Sequence, residues 1–247
     1  MSIAYPNLPV RFVAFLPGIT TPGGVTHQAI EDIAIMRATP NMTILETADA
    51  TEVESVIEVA HAIDGPVYIR MLRGEVPRLF PADEPMELDK VRILSEGDDL
   101  TIFTAGITTE EAMRVTGTMA QAGVGITHVH VSSHKPFGDP VILESIRRAK
   151  HGVISLENHT IIGGLGSAVA EVMAEHAVGR PLVRLGLRDT YAHGASRAHL
   201  MKEYRLDAAA LVDGIEGLIG RSTGVTEADL GAVRIEAVHS MAKVEGL

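Results

Sequence analysis

Neither cysteine nor tryptophan occurs in this chain of 247 residues, and only 4% of its residues are aromatic. Without a thiol there is no disulfide staple, no thiolate nucleophile and no cysteine metal cage, a usage that fits a reducing compartment. Basic residues are short too: 21 Lys and Arg stand against 32 Asp and Glu, a formal net charge of −11. That balance argues against nucleic acid or an acidic membrane surface as a principal partner. No apolar run approaches the ~18 residues of a membrane-spanning helix. The opening "MSIAYPNLPVRF" also lacks a basic segment followed by a hydrophobic one. The expectation is a soluble, cytoplasmic protein with no membrane and no nucleic-acid partner.

What is present is aliphatic: 46% hydrophobic residues, with abundant Ala, Val, Ile and Gly, as suits a sheet covered by helices. Strand and helix patterns alternate. "VRFVAFLP", "MTILET" and "VYIRML" read as strands, separated by a helix after His27 and by "TEVESVIEVAHAI", which Thr51 and Glu54 open as a capping box. Residues 74–92, with three prolines and mixed charge, read as a linker. A second alternation follows: "LTIFTAG", a helix from Thr108 capped by Glu111, "GITHVHV", a helix from Asp139–Pro140, "GVISLEN", a helix from Gly166, and "LVRLGL". Helices near 195–204 and 207–220 close it. The fold class is α/β: two units with mostly parallel sheets flanked by helices, divided as 1–86, 87–221 and a tail 222–247. The tail shows apolar Leu230, Val233, Ile235 and Val238 without strong order. The first unit is small enough to predict an unfilled sheet edge and an exposed apolar face.

"GGVTHQAIEDIAIMRATPNM" begins with two glycines that let the backbone approach a ligand. Thr26 reads as an N-cap, Ile30, Ile33, Ala34 and Ala38 recur at helical spacing, and Pro40 stops the pattern. An imidazole at such a helix start, His27, either helps the free N–H groups hold an anion or contacts its own loop. In "THVHVSSHKP", His128 and His130 share a strand face and His134 follows, but only Asp139 offers a further ligand nearby, so no metal site is assigned. "NHTIIGGLGSAVAE" lacks both GxGxxG spacing and a P-loop lysine, and close helix–strand packing accounts for Gly163, Gly164 and Gly166. "RDTYAHGASRAHL", with His193 and His199, reads as a loop and a helix start capped by Ser196.

Three stretches in order, "THQAIEDIAIMRATPNM", "DGPVYIRMLRGEVP" and "LENHTIIGGLGSAVAEVMAEH", resemble the C-terminal section of transketolases, most closely the shorter chain of split bacterial-type transketolases. The resemblance implies a partial pyrimidine-binding domain followed by a transketolase-type C-terminal domain. It implies a thiamine-diphosphate-dependent transferase that passes a two-carbon ketol unit between sugar phosphates. Thiamine diphosphate and Mg²⁺ would be held mainly by a partner subunit carrying the pyrophosphate-binding domain, in a dimer of heterodimers. The family's front half, with the glutamate that protonates the aminopyrimidine and the aromatic residue stacked on it, has no counterpart: residues 1–30 hold no glutamate. No catalytic residue is therefore assigned, and the chain alone is expected to be inactive.

Two substrate-binding residues carry over from the resemblance. His27 matches the family histidine near the substrate phosphate, and Arg73, in "RMLRG", matches the arginine paired with the same phosphate. Arg70 reads as a solvated or packing residue. Phe15 stands where the family has a histidine and Gly23 where it has an aspartate, both contacts to donor-sugar hydroxyls. Their loss implies an atypical donor or acceptor, less hydroxylated or branched near the reacting carbons. The alternatives are a deoxyxylulose-phosphate-synthase-like or 2-oxoacid-dehydrogenase β-type subunit, or a non-catalytic assembly or regulatory subunit.

Overall fold

The computed structural model describes residues 2–74, 76–232 and 237–238. Val233 and Ile235 of the tail lie outside them. The chain runs through β1 (Arg11–Phe15), a single 3-10 turn (Val25–His27), α1 (Asp32–Arg37), β2 (Thr43–Glu46), α2 (Ala50–His61) and β3 (Val67–Met71). There follow β4 (Val76–Pro77), β5 (Val91–Ser95), β6 (Leu100–Thr104), α3 (Thr108–Gln121), β7 (Ile126–Val131), β8 (Ser133–Lys135) and α4 (Pro140–Arg148). The last elements are β9 (Gly152–Thr160), α5 (Leu165–Glu175), β10 (Leu182–Leu187), α6 (Arg197–Glu203), α7 (Ala208–Ile219), α8 (Glu227–Ala232) and β11 (Ala237–Val238).

The larger sheet has the order β10-β9-β6-β7-β5, parallel except for β5, which runs antiparallel to β7. Every residue of β6 and β7 is buried, as expected of central strands covered on both faces. Their alternation feeds two cores. Leu100, Ile102, Ile126 and Ile154 pack with Met119, Leu211 and Ile215 under α3 and α7. Phe103, Val129 and Val153 turn the other way, onto Ile146 of α4 and Leu165 and Val169 of α5. α4 forms where expected: Asp139 accepts from Val141 N, Pro140 follows, and Arg147 and Arg148 complement the dipole at its last turn.

The smaller sheet draws on both units. Its order is β1-β3-β2-β8, and β8 comes from the second unit, pairing antiparallel with β2. The expected open edge is thus closed on the β2 side. On the other side β1 is the edge, with Val13 and Phe15 exposed. Lys135 of β8 also donates to the carbonyls of Arg37 and Thr39, closing the end of α1.

Three helix starts differ from expectation. Thr26 does not cap α1; it lies in the 3-10 turn, and the helix begins at Asp32 after Glu31, so His27 precedes the helix rather than opening it. Asp49, not Thr51, caps α2 by accepting from Glu52 N, while Glu52 reaches back to Ala48 N. The other oxygen of Asp49 accepts from Leu79 and Phe80 N, and the Thr51 hydroxyl donates to Phe80 O, so both pin the proline-rich segment onto α2. Glu111 does not cap α3; it accepts from Ala208 N and so tethers α7.

Candidate functional site

Where the two sheets meet, charged side chains replace apolar ones. Arg70 in the middle of β3 is fully buried. It donates to Asp32 (2.8 Å), to Glu46 (2.5 Å) and to the carbonyls of Ala29 and Asn158. Of the two roles expected for Arg70, solvation is therefore wrong and packing right, because its fork is satisfied on every side. Glu46 pairs in register with Arg70 on the neighbouring strand and also accepts from His134 Nε2 at 2.6 Å. Burial alone would raise the Glu46 carboxyl, but Arg70 and His134 together hold it down to about 2. His159, buried beside this cluster, is pushed down to about 4 by burial and by Arg70.

A second polar chain crosses the same seam. Glu52 can only accept, so His130 Nε2–H donates to it at 2.9 Å, leaving Nδ1 to accept from Thr109. Thr104 then donates to Thr109 and accepts from His128 Nε2 at 2.8 Å. Burial, with the neighbouring His130, pushes His128 down to about 3. The three histidines of "THVHVSSHKP" are thus members of two separate networks rather than one cluster.

The glycine-rich segment before α5 has its own acceptor. Glu157 accepts from Leu165 N and Gly166 N at 2.7 and 3.0 Å, and burial raises its carboxyl to about 8. A Cβ on Gly164 would lie 2.0 Å from Glu157 Oε2, and one on Gly166 2.5 Å from Ser155 Oγ. Close packing onto β9 explains the glycines, and the Glu157 carboxyl group takes up the N–H groups of Leu165 and Gly166.

Open α/β sheets bind ligands beyond the carboxyl ends of their strands. There the structure has a cavity of about 240 Å³, lined among others by Leu16 after β1, Ala48 after β2, Arg73 after β3, Thr20, Glu110 and Arg197. Glu110 is paired with Arg114. Arg73 and Arg197 both line this small volume, and neither forms an ion pair among the described residues. Arg197 escaped the sequence reading. Its signal was its position: a cation directly after the N-cap Ser196, where the helix dipole disfavours one.

His27 is not among the residues lining that cavity. It is exposed, with Nδ1 2.9 Å from the Thr26 hydroxyl. A Cβ on Gly23 would come within 2.9 Å of its ring, so His27 occupies space an aspartate at 23 would need. Gln28, buried next to it, donates to the carbonyls of Thr21 and His193, and Gly24 packs on Gly194. The structure therefore joins Arg73 to Arg197 and ties the His27 loop to the loop before α6.

A small sheet completed by a strand of a second α/β unit, with a cavity lined by Arg73 and Arg197 beyond its strand ends, defines a two-unit α/β architecture. Residues 1–78 match the family profile "Transketolase, pyrimidine binding domain" and residues 89–211 match "Transketolase, C-terminal domain". A putative transketolase C-terminal section from Methanocaldococcus jannaschii is 37% identical over 85% of this chain and 66% of its own length. A 6-deoxy-6-sulfo-D-fructose transketolase subunit from Clostridium sp. is 37% identical over 86% of this chain and 66% of its own. A solved split-gene transketolase, an inactive β4 tetramer, superposes with a TM-score of 0.81 at 36% identity, over 89% of this chain and 70% of that one. The chain belongs to the transketolase family and corresponds to its C-terminal section. It spans about two thirds of the length of these relatives.

Domains of this family are in general thiamine-diphosphate-dependent. The described residues do not make such a site by themselves. Each deeply buried glutamate is already engaged: Glu46 by Arg70, Glu52 by His130, Glu157 by α5. None is left to meet an aminopyrimidine.

Proposed function

We propose that this chain is the substrate-anion-binding component of a thiamine-diphosphate-dependent transketolase that moves a two-carbon ketol unit between phosphorylated or similarly anionic sugars. The observation that carries the reading is the cavity at the strand ends that holds Arg73 and Arg197. Arginine forks suit a tetrahedral anion bound in two-pronged fashion, and charge-assisted hydrogen bonds fix its position as well as its affinity. His27, on the adjoining loop, meets the same sugar from the open side. Domain limits at 86/87 and 221/222 go with this reading, supported by family profiles that end and begin near the first of them.

The cofactor supplies the electron sink for breaking and making the C–C bond. This chain's residues orient the sugar through its terminal anion. Mg²⁺ and most cofactor contacts come from a partner subunit with the pyrophosphate-binding domain, assembled as a dimer of heterodimers, and the chain is inactive by itself. A relative that acts on a sulfonated sugar supports an anion site tolerant of phosphate or sulfonate. A synthase of the 1-deoxy-D-xylulose-5-phosphate type remains the second reading, since relatives with that name share this section.

Titration of the purified protein with ribose 5-phosphate and with unphosphorylated ribose tests the anion site. The phosphate ester is expected to bind more tightly. Arg73→Ala and Arg197→Ala should each remove about 1.5–3 kcal/mol of that preference, roughly tenfold or more in affinity. Equal binding of both sugars, or an unchanged preference in both variants, would defeat the assignment.

A further inference from the structure

We propose that His193, His199 and Glu203 form a binding site for a divalent transition-metal ion of the zinc class, outside the anion cavity. His199 and Glu203 lie one turn apart on α6 and project on the same side. His193 arrives from the loop before the helix. Both imidazoles converge on one carboxylate oxygen: Glu203 Oε2 is 3.1 Å from His199 Nε2 and 3.4 Å from His193 Nε2. The three ligand atoms lie within 4.8 Å of one another.

Those separations have a chemical meaning. Zinc bonds of about 2.0–2.1 Å in a tetrahedron set its ligand–ligand edges near 3.3–3.4 Å. Two edges already have nearly that length, and exposed imidazoles turn easily to complete the third. Two imidazoles and one carboxylate form a recurrent zinc donor set, with a fourth position left to water. A helical His–Glu pair alone would explain His199 but not why His193 meets the same oxygen from another segment.

The surroundings support ligation. His193 Nδ1 is 3.4 Å from the Tyr204 hydroxyl, so the ring nitrogen away from Glu203 has a partner that can orient it. The carbonyl of His193 accepts from Gln28, and Gly194 packs on Gly24. A bound ion therefore staples the loop before α6 to the helix. That helix begins with Arg197, and the stapled loop supports the His27 segment. The site stands on its own geometry and does not depend on the proposed activity.

The test is calorimetric titration of the full chain, stripped with a chelator, with zinc chloride. Cobalt(II) is the optical reporter, because a tetrahedral site gives intense visible bands. One equivalent should bind and raise the melting temperature. His193→Ala, His199→Ala and Glu203→Gln should each weaken binding about tenfold or more. All three positions are exposed, so the variants should fold, and far-ultraviolet dichroism checks this. Absence of stoichiometric binding overturns the proposal. So does binding that the His199 and Glu203 variants leave intact, or binding indifferent to His193.

Discussion

Replacing Arg70 by Met strips the seam between the sheets of its only fully buried cation among the described residues. The methionine fills much of the volume, but Glu46 and Asp32 lose the donors 2.5 and 2.8 Å away, and the Ala29 and Asn158 carbonyls lose theirs. Removing one partner of a buried pair costs about 3–5 kcal/mol, because the other charge stays buried. For a chain of this size each kcal/mol moves the melting temperature by about 2–4 °C, giving a fall of about 6–20 °C. Urea denaturation and calorimetry would read it. Arg148→Ala, which breaks an exposed pair with Asp98, is the control and should cost at most about 1 kcal/mol. Combining Arg70→Met with Glu46→Gln should recover about 1–3 kcal/mol, since the second change removes the stranded charge. If Arg70→Met costs no more than the control, or the pair shows no coupling, the seam is not held by charge.

Three further outcomes follow from the same structure. Stability should peak near pH 6.5, the ordinary histidine value. Below it the unfolded chain protonates His128 and His159 while the fold keeps both neutral, against one proton that Glu157 retains. Stability should thus fall by about 1.4 kcal/mol per unit of acidification, levelling off nearer the ordinary carboxylate value, where Glu111, also raised by burial, regains its proton in the fold first. Above 6.5 only the Glu157 proton counts, so stability falls with rising pH as far as about 8, and Glu157→Gln should flatten that limb in denaturant titrations. Gly18→Ala should cost about 2–4 kcal/mol by urea melts. Its φ is +61°, and a Cβ would sit 2.2 Å from the Asn158 side chain that clamps Pro17 and Ile19. In the assembled enzyme, donors poor in hydroxyls should be preferred over xylulose 5-phosphate, because Phe15 and Gly23 offer the sugar no hydrogen bonds; ordinary xylulose 5-phosphate turnover would sink that expectation.

Element order was legible because periodicity and caps agree: Asp139–Pro140 before α4 and Ser196 before α6 both stand where expected. What escaped was non-local. β8 is three residues long and follows β7 directly, so nothing local marks it as a strand of the other sheet. Asp49 caps α2 while also holding the segment 30 residues on, and the Thr51 hydroxyl is spent on Phe80 O of that same segment. Arg70 has a legible signal: the single charges in "VYIRML" and "MTILET", two otherwise uncharged neighbouring strands, call for each other. Arg73 and His27 came by resemblance. Arg197 enters the cavity from a segment more than a hundred residues away, which no spacing could reveal.

The most direct test of the central claim is to purify this polypeptide from its native source with whatever accompanies it and to assay two-carbon transfer with and without thiamine diphosphate. The expected result is cofactor-dependent transfer only in fractions that also carry a pyrophosphate-binding domain and the glutamate-bearing front half, and none from residues 1–247 alone. Turnover by that chain by itself would contradict it, as would an assembly containing both pieces that neither binds thiamine diphosphate nor transfers a ketol unit.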